Sequence, residues 1–117
     1  MLPSLRRGPA AVISNGQSLS AAIDLKEGEL MALSMPASWT AANLTLQSSK
    51  DGGETWQNVH DKSGTEVTIT AAADRYIVLD SSLSELLRGV RNLKIRSGTS
   101  GAAVNQGADR TIVTMVR

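Results

Sequence analysis

The strongest constraint on the fold is a chain-long series of short segments in which apolar and polar residues alternate between turn residues. Leu44 to Ser48 alternates with both leucines on one face, and Asn92 to Arg96 places Leu93 and Ile95 together. A period of two is typical of a strand with one buried face. About eight or nine such segments, roughly one every ten residues, predict an all-β fold, an antiparallel β-sandwich or a closed barrel.

Two segments depart from this half-buried alternation. Arg75 to Leu79 reads as a strand at the centre of a sheet, because most of its residues are apolar. Ser82 to Arg88 carries leucines at helical spacing, with Ser82 as N-cap and Glu85 completing a capping box. Gly89 stands where a helix would end. We therefore expect one short helical turn between two strands.

The length of 117 residues fits one domain. Residues 1–9 contain two prolines together with Arg6 and Arg7, and they predict a flexible N-terminal arm that could dock on a neighbour. Residues 10–117 form the predicted sandwich domain. The chain has no cysteine, which excludes disulfides and thiolate metal sites. With no signal-peptide pattern and no run long enough to span a membrane, we expect a soluble protein made in the cytoplasm.

The charge and aromatic content narrow the classes of partner. The formal net charge is +1, which gives no surplus for binding a polyanion, so no nucleic acid or membrane partner is expected. The aromatic residues are Trp39, Trp56 and Tyr76, with no phenylalanine. Aromatic platforms usually stack on sugars and exposed bases, and three rings make a poor platform.

The sharpest local motif runs from Ser49 to Trp56 and matches the Asp-box pattern Ser-x-Asp-x-Gly-x-Thr-Trp. Its defining residues are Ser49, Asp51, Gly53, Thr55 and Trp56. An aspartate can accept hydrogen bonds from turn amides, glycine tolerates positive φ, and the tryptophan can pack over the turn. The functional alternative is a sugar or calcium site at Asp51. We favour a structural hairpin.

Catalytic and metal-binding side chains are sparse. His60 is the one histidine, and the sequence offers neither a nucleophile elbow nor a second histidine to complete a triad. The acids Asp51, Asp61 and Asp80 are separated in sequence, although loops of small sandwiches sometimes gather a calcium ion. The sequence therefore predicts a protein that is not an enzyme and that has no catalytic residues, no cofactor and no metal.

A basic cluster consists of Arg88, Arg91, Lys94 and Arg96. It could be an anion-binding patch, but Lys94 and Arg96 should face solvent because Leu93 and Ile95 point inward. A third option is pairing with acidic turns of a neighbouring subunit. Together with Arg6, Arg7 and Trp39, these residues form the predicted interaction surface.

Several stretches give the chain a family likeness. They are Ser18–Leu25, Met35–Ala42, Leu44–Gly52, Leu93–Thr99 and Val104–Gln106. In these stretches the chain resembles small proteins encoded among the virion structural genes of tailed phages and prophages. The resemblance implies a non-enzymatic virion protein with a jelly-roll-like or galactose-binding-like antiparallel β-sandwich. It also implies assembly as a symmetric homo-oligomer, with closed rings as the expected form and a trimer or a pentamer as the options.

Three functions follow from this resemblance and from the residues. The first is a head decoration, spike or fibre-base protein that binds the capsid and itself. The second is a tail-associated or adaptor protein of the same virion. The third is a carbohydrate-binding module that uses Trp39, Trp56 or Tyr76 for host-surface glycans. In the first two cases the protein is located in the virion and its partners are capsid or tail proteins.

Overall fold

The computed structural model describes residues 4–117 and consists of two antiparallel sheets and one short helix. The strands are β1 (Arg6–Ile13), β2 (Ile23–Asp24), β3 (Leu30–Ser34), β4 (Leu44–Ser48), β5 (Gln57–Asn58), β6 (Thr68–Ile69), β7 (Tyr76–Val78), β8 (Asn92–Thr99), β9 (Ala102–Ala103) and β10 (Arg110–Val116), and the helix is α1 (Ser81–Leu86). The predicted all-β sandwich is confirmed, with ten strands in the described part. The jelly-roll likeness stays a prediction.

The strand orders define two different layers. The four-stranded sheet has the order β1-β10-β3-β7. The six-stranded sheet has the order β2-β8-β4-β5, with β6 also paired to β4 and β9 to β8. Strands β1 and β7 are therefore the two edges of the four-stranded sheet.

The core lies between the sheets and is built from aliphatic side chains. On the six-stranded sheet, Leu46 lies opposite Ile95 in the β4–β8 pairing, and both side chains are fully buried. On the other sheet, Leu33, Ile112 and Val116 are buried in the same cluster. The predicted inward positions of Leu93 and Ile95 are thus confirmed, because the period of two places them on the core face.

The first strand begins earlier than the sequence suggested. Arg6 pairs with Val116 and Arg7 with Met115, so residues 6–9 of the predicted arm belong to β1. The pairing is interrupted by a bulge between Arg7 and Ala10, where Pro9 cannot donate to the ladder. Residues 1–3 of the predicted arm lie outside the described residues.

The helix begins one residue earlier than predicted and has a different cap. Asp80, not Ser82, is the N-cap, and its Oδ1 accepts a hydrogen bond from the Leu83 amide at 2.8 Å. The Ser82 hydroxyl donates to the same oxygen at 2.9 Å. A carboxylate accepts the first free amides of a helix more strongly than a hydroxyl does. The predicted N-cap at Ser82 is therefore wrong. No helix in residues 4–117 is long and apolar enough to cross a membrane.

The segment after β8 turns back sharply as the β8–β9 hairpin. Gly98 has φ of +87°, and a Cβ there would lie 2.5 Å from the Ala102 carbonyl oxygen. Only glycine fits this close approach. Beyond the hairpin, the buried Gln106 side chain accepts a hydrogen bond from the Thr40 amide at 2.9 Å and donates one to the Thr40 carbonyl at 3.0 Å. These two hydrogen bonds join the segment between β9 and β10 to the loop after β3.

We predict that Leu46→Ala lowers the free energy of unfolding by about 2–5 kcal/mol, because it leaves a cavity opposite Ile95. Urea unfolding measures this loss. Leu86→Ala is the matched control, since Leu86 is 46% exposed, and it should change stability by no more than about 0.5 kcal/mol. Equal losses in the two variants would contradict the placement of the core.

Candidate interaction surfaces

The Asp-box segment forms the turn between β4 and β5 and is closed by its own hydrogen bonds. The Asp51 carboxylate accepts from the Thr55 amide at 2.8 Å and from the Thr55 hydroxyl at 2.6 Å. The Ser49 hydroxyl accepts from the Gly53 amide at 2.8 Å, and Gly53 has φ of +101°. Trp56 Nε1 donates to the Gly53 carbonyl at 3.0 Å. All five motif residues are used in holding the turn, as in a structural hairpin.

The Asp51 carboxylate is held ionised by these donors. Hydrogen bonds from the Thr55 hydroxyl and amide, and from Ser49, lower the pKa of Asp51 to about 2. The turn also connects to β8, since Lys94 Nζ lies 4.6 Å from the centroid of the Trp56 ring. Lys94 is therefore on the outer face of the six-stranded sheet, as predicted, but it is half-buried over an indole.

Arg96 is not part of a solvent-exposed surface, and this prediction is wrong. The residue is 7% exposed, although its side chain faces away from the core. Its guanidinium donates to Asn58 Oδ1 at 2.7 Å and to Thr45 Oγ1 at 3.2 Å. Glu66 Oε2 lies 3.7 Å from Nη1. The segment between β5 and β6 supplies Glu66 and covers this part of the sheet, so Arg96 is an internal polar anchor.

Three of the predicted surface arginines do come together at one end of the sandwich. Arg6 and Arg91 line a shallow depression of about 430 Å³ with Lys26 and Glu27. Arg7 lines an adjoining depression that Arg6 shares. Arg91 makes a two-pronged pair with Asp24, with N–O distances of 2.8 and 3.1 Å, and this contact lowers the pKa of Asp24.

The remaining predicted surface residues lie outside these depressions. Arg88 pairs with Glu29, with 3.7 Å between Nε and Oε1. Trp39 packs against the core and donates from Nε1 to the Ala42 carbonyl at 3.0 Å. The predicted surface therefore does not form one patch. Arg6, Arg7 and Arg91 form a basic end, whereas Arg88 and Trp39 lie apart from it and contact other residues of the same chain.

An acidic groove of about 510 Å³ lies beside helix α1. Its acids are Asp61, Glu66 and Asp80, and Leu83 and Leu86 provide apolar lining. The Leu83 amide and the Ser82 hydroxyl lower the pKa of Asp80. Within residues 4–117, no group of three or more histidine and acidic side chains is placed to hold a metal ion.

His60 lies elsewhere, in a smaller depression of about 310 Å³ near the Asp-box turn. Its Nδ1 lies 3.2 Å from the Asn58 carbonyl oxygen, and the ring is exposed. The contact joins His60 to the backbone of β5. It gives the histidine a local structural partner.

An apolar outer face on the four-stranded sheet was missed by the sequence reasoning. The strand register places these residues on it: Ala10 and Val12 of β1, Val113 and Met115 of β10, Ala32 and Ser34 of β3, and Tyr76 and Val78 of β7. Val78 is 70% exposed and Tyr76 is 54% exposed. The prediction of a central strand at Arg75 to Leu79 is wrong, because β7 is an edge strand. The signal in the sequence is that the alternating residues Tyr76 and Val78 are apolar. The same pattern also fits a strand that is buried on both faces, which is why it predicted a central strand.

Comparisons with known proteins add no relative. No family model matches the chain, and no curated protein or solved structure is detectably similar to it.

We predict that Arg96→Met lowers the free energy of unfolding by about 3 kcal/mol, because it leaves the carboxylate of Glu66 buried without its cation. Arg88→Met is the matched control, since its ion pair has the same 3.7 Å separation but its side chain is 61% exposed. That variant should lose less than about 1 kcal/mol. Chemical unfolding distinguishes the two, and similar losses would show that Arg96 is not an internal anchor.

We predict that Thr55→Val raises the pKa of Asp51 from about 2 toward 3.8, because the hydroxyl is the strongest of its donors. Thr55→Ser keeps the hydroxyl and should leave the pKa low. Carbon-detected NMR titration of the carboxyl group measures both values. Since folding lowers this pKa, the Asp51 contribution to stability is fully present above about pH 3.8 and is lost as the pH falls through about 2. An unchanged pKa in Thr55→Val would refute this.

Proposed function

We propose that the chain is a non-enzymatic structural protein of a tailed-phage virion, a head decoration, spike or fibre-base component that binds the capsid and itself. The observation that carries the proposal is the apolar outer face of the four-stranded sheet. Contiguous exposed apolar side chains on a soluble domain are typical of protein–protein contact sites. The resemblance to virion structural proteins favours a contact that is made within a virion.

The outer face has the composition of a contact surface. Val12, Tyr76 and Val78 are exposed on it, and Val113 and Met115 are half-buried between them. Polar residues lie on the same face: Arg7 and Thr111 on β1 and β10, and Ser34 between Val113 and Tyr76. Apolar side chains mixed with polar ones are typical of protein interfaces.

The charged surfaces favour oriented contacts between subunits. The basic end around Arg6 and Arg91 shares no residue with the acidic groove at Asp61, Glu66 and Asp80. Separate patches of opposite sign can fix the orientation of neighbours while the net charge stays at +1. This arrangement supports the option that surface arginines pair with acidic segments of a neighbour.

The glycan-binding alternative draws less support from the aromatic residues. Trp39 and Trp56 are half-buried, and each indole N–H donates to a backbone carbonyl. Lys94 covers the Trp56 ring. Of the three rings, Tyr76 is the exposed one, and it lies within the apolar face. Tail attachment is the other alternative, and the same contact face would serve it.

We predict that the protein co-purifies with virions at a fixed ratio to the major capsid protein. Particles from a culture carrying the gene are banded by density and quantified by mass spectrometry. Tail-less heads that retain the protein support a head location, whereas retention only on tails supports the tail alternative. Its absence from particles that contain capsid and tail proteins would refute the proposed function.

The role of the apolar face is tested in the same particles with Val12→Glu. An unpaired carboxylate in an apolar contact should lower incorporation about tenfold or more, since its burial costs more than about 1.4 kcal/mol. Thr70→Glu is the control, because Thr70 is exposed just beyond β6 of the other sheet and lines none of the depressions described above. Equal incorporation of the two variants would show that this face does not attach the protein.

A further inference from the structure

Strand β7 presents an open edge whose free backbone groups belong to its two most exposed residues. The Met35 amide donates to the Arg75 carbonyl at 2.8 Å, and the Leu79 amide donates to the Met31 carbonyl at 3.0 Å. Backbone groups alternate in direction along an antiparallel strand. Those of Arg75, Ile77 and Leu79 therefore face β3, and those of Tyr76 and Val78 face away from the sheet.

The other edge strand of the sheet, β1, carries three features that hinder pairing with another chain. Strand β1 contains Pro9 and a bulge, and the Ala21 amide donates to its Val12 carbonyl at 3.0 Å. Such devices prevent pairing with another chain. Over Tyr76–Val78 the described chain has no proline, bulge or covering segment; the strand is three residues long, and β3 is its partner on one side alone.

We propose that β7 pairs in antiparallel fashion with β7 of a second copy of this chain, about a two-fold axis at Ile77. In this register Tyr76 of each copy lies opposite Val78 of the other, and the two residues exchange both backbone hydrogen bonds. The proposal rests on the self-association in the proposed function and gives it a surface and a symmetry. It joins the two four-stranded sheets into one continuous sheet.

The side chains of the strand suit this pairing. A two-fold axis perpendicular to the sheet keeps Tyr76 and Val78 on the apolar outer face, where an aromatic side chain then lies beside a β-branched one. Such cross-strand pairs are among the favourable ones in sheets. The apolar outer face also becomes continuous across the two copies, which enlarges the surface available to the capsid.

Charged residues flank β7 at both of its ends. Arg75 precedes the strand and makes no ion pair within residues 4–117. Asp80 follows it, and its hydrogen bonds in the described chain use Oδ1, which leaves Oδ2 available. In the proposed register Asp80 of one copy lies opposite Asp74 of the other, and Arg75 adjoins both positions, so each end of the pairing holds one arginine beside two carboxylates.

Disulfide cross-linking tests the register, because the natural chain has no cysteine. Cα atoms of directly opposed residues lie about 5.5 Å apart, within disulfide range, whereas diagonal positions are about 7–8 Å apart. A mixture of Tyr76→Cys and Val78→Cys should therefore cross-link at least about fivefold faster than either variant alone. A mixture of Tyr76→Cys and Thr111→Cys is the control, since Thr111 is exposed on β10, and it should not cross-link.

Two cross-linking results would overturn the pairing. One is equal rates for the mixture and the single variants, and the other is no cross-linking in any sample at concentrations up to about 1 mM, where even weak contacts are populated. Circular dichroism and thermal unfolding of each variant verify that it is folded. Virion incorporation is measured separately, so loss of the pairing and loss of the proposed function are distinguishable.

Sedimentation of the protein gives a second measurement. The monomer mass is 12.3 kDa, and because a three-residue strand buries little area the pairing predicts a weak dimer of twice that mass. Val78→Pro removes an N–H that faces away from β3, which proline tolerates in an edge strand, and it should leave a folded monomer. Val78→Thr keeps the N–H and should still form dimers. A wild-type protein that stays monomeric, or dimers that persist in Val78→Pro, would overturn the proposal.

Discussion

The pairing of β4 with β8 fixes most of the other elements, because it organises both faces of the six-stranded sheet. On the inner face, Leu46 and Ile95 fill the core against the second sheet. On the outer face, Arg96 binds Asn58, Thr45 and Glu66 and so holds the segment between β5 and β6 on the sheet. That segment forms one side of the acidic groove beside α1. Loss of Arg96 would leave the Glu66 carboxylate, which is 16% exposed, without its cation, so the pair favours this arrangement of the loops.

The two sheets therefore present different surfaces. The six-stranded sheet is covered in part by its own loops, with Thr45 fully buried and Lys94 lying over Trp56. The four-stranded sheet carries apolar side chains on its outer face and an open edge at β7. Exposed valine and tyrosine leave apolar area in water in the isolated domain, whereas in an assembly a neighbouring protein can cover that area. This asymmetry is the physical basis of the proposal that the chain builds a larger particle.

The sequence predicted the features that depend on local pattern. Alternation in Leu44 to Ser48 and in Leu93 to Arg96 predicted strands β4 and β8 and their inward residues. The Asp-box motif predicted the turn between β4 and β5. The burial of Arg96 was not predictable, because its partner Glu66 is distant in sequence and alternation alone points Arg96 outward. The N-cap was misplaced because Asp80 and Ser82 both satisfy the cap preference. The edge position of β7 was missed, since an apolar run is the same whether a neighbouring strand or a partner covers it.

The central claim is that the protein is built into virions through the apolar face of its four-stranded sheet. Cryo-electron microscopy of purified particles, at a resolution that traces the backbone, tests it most directly. The claim predicts density for this sandwich on the particle, with Val12, Val113 and Met115 in contact with a neighbouring protein. Particles that lack the sandwich, or that hold it by another surface and leave this face in solvent, would contradict it.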